Sequence, residues 1–403
     1  MGSRDLHGGG RWRLPDGVEE VLPPRARRIE ALRRRLLEEF DCWGFELIDP
    51  PLIEFLDSLL VAAGEDLDLQ TFKVTDQLSG RMMGVRADIT SQAARIDAHT
   101  LREDGPTRLC YAGHVLRTRP EGLLGSRTPL RIGAEMFGVP GPEGDAEIVA
   151  LMVRTLQVAG VCEADDSVQV ELGHVAIYRH LAVAAGLDAG AEARMFDAVQ
   201  RKAVADIDLL LEEVACPEGP AAMLRALPTL IGDVGVLGRA REVLAGAPAE
   251  VGAAIAELEA VARLAECRAG GIELCFDLAE LRGYNYHRGV LFSAYAADHA
   301  RTVAGGGRYD GVGKAFGRAR PATGFDADLK VLAGLGRVEE EIPRTVLAPE
   351  AGALDAIRQR ALWDAVDALR AEGARVVSAP SSLAVQETLE WRDGAWVAVS
   401  VES

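Results

Sequence analysis

Apolar positions at helical spacing open the patterned part of the chain: Ile29, Leu32, Leu36 and Phe40 share one face of a helix expected over residues 26–40. Turn chemistry at Leu14-Pro15-Asp16-Gly17 and Leu22-Pro23-Pro24 leads into it. After Gly44, residues 45–54 read as a strand broken by Pro50-Pro51. Proline cannot donate to a ladder, so this strand belongs at a sheet edge or a dimer seam. Further strands are expected at residues 72–75, 82–86, 108–113, 115–117, 131–137 and 168–172. Strand-turn-strand spacing predicts an α+β fold, an antiparallel sheet flanked by helices rather than a doubly wound parallel one.

From about residue 191 to 264 the pattern turns helical, with Met195, Ala198, Val199, Ala203 and Ile207 in one stripe, which predicts a helical insertion in the sheet domain. Strands resume at residues 272–277 and 290–295, separated by a loop at 281–287, and a glycine turn is expected at 305–311. Beyond Arg337 a small C-terminal α/β appendage is expected: strands at 345–349 and 374–378 around a helix at 354–372, then a hairpin at 391–399 with Asp393-Gly394 as its turn. The expected division is therefore 11–337 and 338–403.

A length of 403 residues accommodates two to three domains. Lys and Arg total 44 against 62 Asp and Glu, a formal charge of −18. Binding to nucleic acid is driven by neutralising phosphates, so no nucleic-acid partner is expected; the arginines between Arg25 and Arg35 read as a solvated helix face. No run of eighteen apolar residues occurs and the first ten residues lack an apolar signal stretch, so no membrane association and a cytoplasmic location are expected. Six cysteines without a CxxC pair indicate neither a metal site nor a disulfide framework.

Two segments carry candidate chemistry. Gly305-Gly306-Gly307-Arg308-Tyr309-Asp310-Gly311 has the glycine density of a phosphate-cradling loop but no P-loop lysine, and a tight turn explains it equally well. Arg86-Ala87-Asp88-Ile89-Thr90 ends a strand with an acid and a hydroxyl two residues apart, a pair that either holds a ligand ammonium or caps the next helix.

In order along residues 15–332, these segments resemble the catalytic core of histidyl-tRNA synthetase, a class II aminoacyl-tRNA synthetase. Arg86-Ala87-Asp88-Ile89-Thr90 stands where that family has Arg-Pro-Glu-Gly-Thr. Leu116-Arg117-Thr118-Arg119-Pro120 through Arg131-Ile132-Gly133-Ala134-Glu135-Met136-Phe137-Gly138 matches its second class signature. Leu281-Arg282-Gly283-Tyr284-Asn285-Tyr286-His287 resembles a histidine-specific loop, the glycine segment matches a second such motif, and Gly324-Phe325 leads towards the third class signature. The resemblance implies a dimeric core with a sheet of roughly six strands. It also implies a histidine pocket in which Glu135 faces the imidazole, Asp88 and Thr90 meet the ammonium, and Arg282 and Tyr286 line the far wall. Arg117, the arginine of the second signature, completes the set together with Arg131 and His287, which replace a glutamine and a tyrosine.

The departures bear on activity. Arg119 stands where the synthetases carry the glutamate that helps hold adenine. Val331 replaces the arginine of the third signature, and Asp328 replaces a glycine and adds negative charge beside the triphosphate. An anion clamp without its arginine loses most of its transition-state stabilisation, so adenylation is not expected. Residues after Arg337 are too few and too acidic for a full anticodon-binding domain. A synthetase-like core with spoiled ATP motifs and no such domain resembles the regulatory subunits of ATP phosphoribosyltransferase, as does the run from Glu65 to Thr90. That resemblance implies a chain without catalytic residues, cofactor or metal, partnered by the short catalytic subunit and by a second copy of itself. L-Histidine is its implied effector. A histidine-adenylating enzyme, or a histidine-binding regulator of another partner, remains the alternative.

Overall fold

A computed structural model describes residues 12–61, 65–120, 122, 125–161, 168–284, 286–296, 299–337, 343–378 and 383–401. Two compact units divide the chain, Met1–Val338 and Glu339–Ser403.

The larger unit begins with α1 (Arg25–Cys42), whose Leu32, Leu36 and Phe40 are fully buried as their spacing predicts. Then come β1 (Glu46–Leu47), β2 (Ile53–Phe55), α2 (Leu56–Leu59), α3 (Glu65–Gln70), β3 (Phe72–Thr75), β4 (Met82–Val85) and α4 (Thr90–Arg95). Next are β5 (Thr107–His114), β6 (Leu130–Phe137), α5 (Pro142–Val158), β7 (Val168–His174) and α6 (Val175–Ala184). The helical stretch continues with α7 (Ala189–Gln200), α8 (Val204–Glu213) and α9 (Glu218–Ala226), is interrupted by β8 (Ile231–Gly232), and resumes with α10 (Gly235–Val243) and α11 (Ala249–Arg268). The unit closes with β9 (Ile272–Asp277), β10 (Val290–Ala296), β11 (His299–Arg308), β12 (Ala322–Asp328) and α12 (Leu329–Leu335).

Among the described residues nine strands form one sheet, ordered β1-β5-β6-β12-β11-β10-β7-β9-β8, while β2-β4-β3 form a small second sheet. Every ladder of the large sheet is antiparallel except β1 with β5 and β7 with β9. The expected sheet of about six strands is thus wider, with the two-residue strands β1 and β8 at its edges. Pro50-Pro51 splits the segment at 45–54 between the two sheets, leaving β1 at the edge as its prolines require.

Two local expectations are corrected. Gly305, Gly306 and Gly307 lie inside β11, not in a turn, because β12 passes so close that a Cβ at Gly306 would collide with the Gly324 carbonyl. Residues 115–117 form no strand. Their amides donate by turns to two separate segments, Val115 to Pro129, Leu116 to Arg86 and Arg117 to Arg127, and only Arg117 bridges, to Thr71.

Helices α1, α5 and α11 cover one face of the large sheet, and the core lies there. Alternation along each strand supplies it: Ile132, Ala134 and Met136 on β6, Phe325 and Ala327 on β12, Val168, Val170 and Leu172 on β7 are all buried. Each of the larger ones, alanines aside, contributes roughly 1.5–3 kcal/mol by leaving water. Phe40 of α1 meets Phe325 edge to face, ring centroids 6.0 Å apart. Among the described residues no helix is long and apolar enough to cross a membrane.

The smaller unit contains β13 (Thr345–Leu347), α13 (Ala356–Ala371), β14 (Arg375–Val377), β15 (Glu387–Arg392) and β16 (Ala395–Ser400), in sheet order β14-β13-β15-β16. Asp355 caps α13 by accepting from the Arg358 amide at 2.9 Å, and Leu362 and Val366 bury its inner face. At the hairpin tip Asp393 and Gly394 both take positive φ, 48° and 85°, as a two-residue I′ turn requires.

Candidate functional site

The face of the sheet opposite the core helices is polar and glycine-rich. On β6 the residues between the buried apolar ones are Arg131, Gly133 and Glu135; on β12 they are Gly324, Asp326 and Asp328. The register sets Glu135 opposite Gly324, and a Cβ there would collide with the Glu135 carboxylate. Glycine at this position lets an acidic side chain lie flat across the neighbouring strand.

A cavity of about 1330 Å³ opens on this face. All eight residues expected from the sequence line it, although they come from four separate stretches. Asp88 and Thr90 lie where β4 leads into α4, Arg117 follows β5, Arg131 and Glu135 stand on β6, and Arg282, Tyr286 and His287 belong to the loop between β9 and β10. Thr90 Oγ1 lies 3.5 Å from the Asp88 carboxylate and 3.4 Å from the Tyr111 hydroxyl. Arg117 Nε donates at 3.5 Å to the Ala87 carbonyl.

Glu135 is only 1% exposed and accepts hydrogen bonds from the hydroxyls of Tyr111, at 3.0 Å, and Tyr309, at 2.5 Å. Burial, with the Asp88 charge adding to it, pushes its carboxyl up to about 8 against the pull of both hydroxyls. It therefore holds its proton at neutral pH. Burial likewise raises Asp88, helped by Asp326 and opposed by Arg131 and Arg117. Tyr286 stacks on Tyr309 with centroids 5.2 Å apart. The Tyr286 hydroxyl and His287 Nδ1 are buried without a hydrogen-bond partner, so both remain available to a ligand. Burial pushes the His287 imidazole down to about 4, which keeps it neutral at pH 7. Arg282 stands apart from these inner groups. It is half exposed and held by Glu280, at 2.9 and 3.0 Å, and by the Tyr295 hydroxyl, at 2.7 Å.

Three residues of the site were not singled out from the sequence: Tyr309 and Asp326, which line the cavity, and Tyr111, which lies behind it and donates to Glu135. Tyr309 sits inside the glycine segment at 305–311 and Asp326 directly follows Gly324-Phe325, where period-two alternation with Gly324 places it on the cavity face. Tyr111 carries no sequence signal beyond its strand position.

The triphosphate side differs from the amino-acid side. Arg119 is exposed, and Val331 packs half-buried against the apolar core. Asp328 does more than add charge: it caps α12, accepting from the Lys330 amide at 2.9 Å and the Leu130 amide at 3.4 Å. Lys330 is itself committed, its Nζ donating at 2.7 Å to the Thr128 carbonyl. Position 331 thus brings an apolar side chain, not a phosphate-gripping arginine, to the cavity lining.

The histidyl-tRNA synthetase family model matches residues 17–332. An ATP phosphoribosyltransferase regulatory subunit from Alkalilimnicola ehrlichii is 52% identical over 369 residues, covering 91% of this chain and 90% of its own. Another from Ectopseudomonas mendocina is 52% identical over 395 residues, covering 96% and 97%. Among solved structures the fold resembles an ATP phosphoribosyltransferase regulatory subunit/histidyl-tRNA synthetase from Bacillus halodurans, with TM-score 0.78 and 24% identity over 92% of this chain and 93% of that one. It also resembles a histidyl-tRNA synthetase from Nostoc sp. PCC 7120, with TM-score 0.76 and 16% identity over 97% of each.

Proposed function

The chain belongs to the histidyl-tRNA synthetase-like family of ATP phosphoribosyltransferase regulatory subunits, and from that premise we propose that it regulates a separate catalytic phosphoribosyltransferase and performs no chemistry itself. Its partner is the short catalytic subunit, which couples ATP to phosphoribosyl pyrophosphate at the start of histidine biosynthesis. L-Histidine binds the cavity on the polar face of the sheet and carries feedback inhibition to that partner. The core of the assembly is a dimer of this chain.

The observation that carries this reading is the likeness to regulatory subunits along nearly the whole chain, 96% of it in one relative. The cavity lining supports it: Asp88, Thr90, Glu135 and Tyr286 all line it, and position 331 adds Val331 in place of an arginine. A pocket for an amino acid without a grip on triphosphate suits a sensor and not a ligase. Inhibition further requires that histidine favour the inhibited arrangement of the complex, because a ligand shifts an equilibrium only by its differential affinity.

The test is reconstitution. Purified short catalytic subunit is assayed alone and with this chain, and the mixture is analysed for a joint complex. Association with a rise in phosphoribosyltransferase activity is expected. Two chains that neither associate nor alter each other's activity would refute the assignment.

A further inference from the structure

The cavity floor holds more charge than the sequence motifs supply. Asp326 on β12 accepts from Arg131 Nε at 2.7 Å and from its Nη2, a bidentate pair across the β6–β12 ladder. The two side chains are 17% and 21% exposed and both line the cavity. Among the described residues Nη1 of Arg131 has no protein acceptor. Asp88 lies within electrostatic reach of both members of the pair, and Glu135 shares the cavity face of β6 with Arg131. The carboxyl groups of Asp326, Asp328 and Asp88 therefore all act on one clamped guanidinium.

The arrangement has a physical logic. A bare guanidinium beside Asp88 would cancel the field that attracts an ammonium group. A carboxylate gripping Nε and Nη2 along one edge restores that field and leaves Nη1 for a carboxylate ligand. We propose that Arg131 and Asp326 form a paired head-group subsite selective for a zwitterionic α-amino acid, Nη1 of Arg131 holding the ligand carboxylate while Asp326 and Asp88 hold its ammonium. Asp326 is then a specificity-determining residue. The subsite rests on the assignment of this cavity to an amino-acid ligand. An amine without a carboxylate leaves Nη1 unsatisfied, and an acid without an ammonium meets carboxylates with nothing to offset them.

The full chain, without any partner, is titrated calorimetrically with L-histidine, histamine and 3-(imidazol-4-yl)propionate. Wild type should prefer histidine over both analogues by roughly tenfold or more, the discrimination expected when a polar ligand group that a site is built to meet is missing. Asp326→Ala and the isosteric Asp326→Asn should each weaken histidine by roughly tenfold while narrowing or reversing its advantage over the propionate, since an unpaired guanidinium favours an anion. Arg131→Gln alone should also weaken histidine, and adding it to Asp326→Ala should cost less than the sum of the two single losses, the coupling expected of a pair. Circular dichroism confirms folding, and Asp326→Asn decides the matter if the alanine variant does not fold. Equal losses for all three probes, or single losses that simply add in the double variant, would overturn the subsite while leaving the cavity an amino-acid site. Failure of wild type to bind any probe, with histidine still inhibiting the reconstituted complex, would overturn the subsite and place the sensor elsewhere without touching the regulatory assignment.

Discussion

Replacing Glu135 with glutamine should make the protein more stable at alkaline pH and slightly less stable at acid pH. In the folded chain this carboxyl titrates at about 8, against 4.5 for an unhindered glutamate. Below pH 4.5 both states hold the proton and the residue is neutral in its effect. Between 4.5 and about 8 the unfolded chain ionises while the folded one does not, so the folded state binds more protons and stability falls as pH rises. At about 1.4 kcal/mol per tenfold change in proton affinity, the full loss by pH 9 is on the order of 4–5 kcal/mol. Glutamine escapes this loss. It keeps the shape but fits two tyrosine donors less well, which costs about 1 kcal/mol at every pH. The variant should therefore be about 1 kcal/mol less stable than wild type below about pH 4, match it near pH 5 and be roughly 3–4 kcal/mol more stable at pH 9. Urea denaturation at half-unit steps across this range, followed by circular dichroism, measures the difference. A difference independent of pH, or wild type still the more stable at pH 9, would refute the claim that burial keeps Glu135 protonated.

Other perturbations probe the rest of the structure. Phe40→Ala should cost about 3–5 kcal/mol, because a fully buried ring packed on Phe325 is lost, and a shift of the denaturation midpoint of less than a fifth of that size would contradict the packing. Gly324→Ala should cost at least about 1–3 kcal/mol and disorder the cavity, since its Cβ collides with the Glu135 carboxylate; a variant of wild-type stability and histidine affinity would show that the floor yields. Val331→Arg alone should not create histidine-dependent exchange of pyrophosphate into ATP, because Asp328 and Arg119 are unchanged and Val331 sits partly in the core; measurable exchange would show that one arginine suffices.

Much of this architecture is legible in the sequence, for identifiable reasons. Ile29, Leu32, Leu36 and Phe40 declare α1 because one apolar stripe at helical spacing has only one way to be buried. Asp393-Gly394 declares the hairpin because its turn demands positive φ at both positions. The glycines at 305–307 mislead because density of glycine signals a turn locally, whereas here the demand comes from β12, distant in sequence and pressed against β11. Residues 115–117 mislead in the opposite sense, having strand-like side chains but no partner strand for their amides. For the site, ordered motifs located eight residues that the fold gathers around one cavity. Asp326 escaped because its significance lies in its partner Arg131 across the ladder, a pairing that no spacing along the chain reveals. Tyr111 and Tyr309 escaped for the same reason, since each matters through Glu135.

The most direct measurement is phosphoribosyltransferase activity of the complex reconstituted with the short catalytic subunit, titrated with L-histidine and compared between wild-type chain and Glu135→Ala. Wild type should raise activity above that of the catalytic subunit alone and then surrender it as histidine fills the cavity, while the variant should assemble and stimulate equally but require about tenfold or more histidine for the same inhibition. Equal histidine sensitivity in the two complexes, or no stimulation by either, would contradict the assignment of this cavity as the sensor of a regulatory subunit.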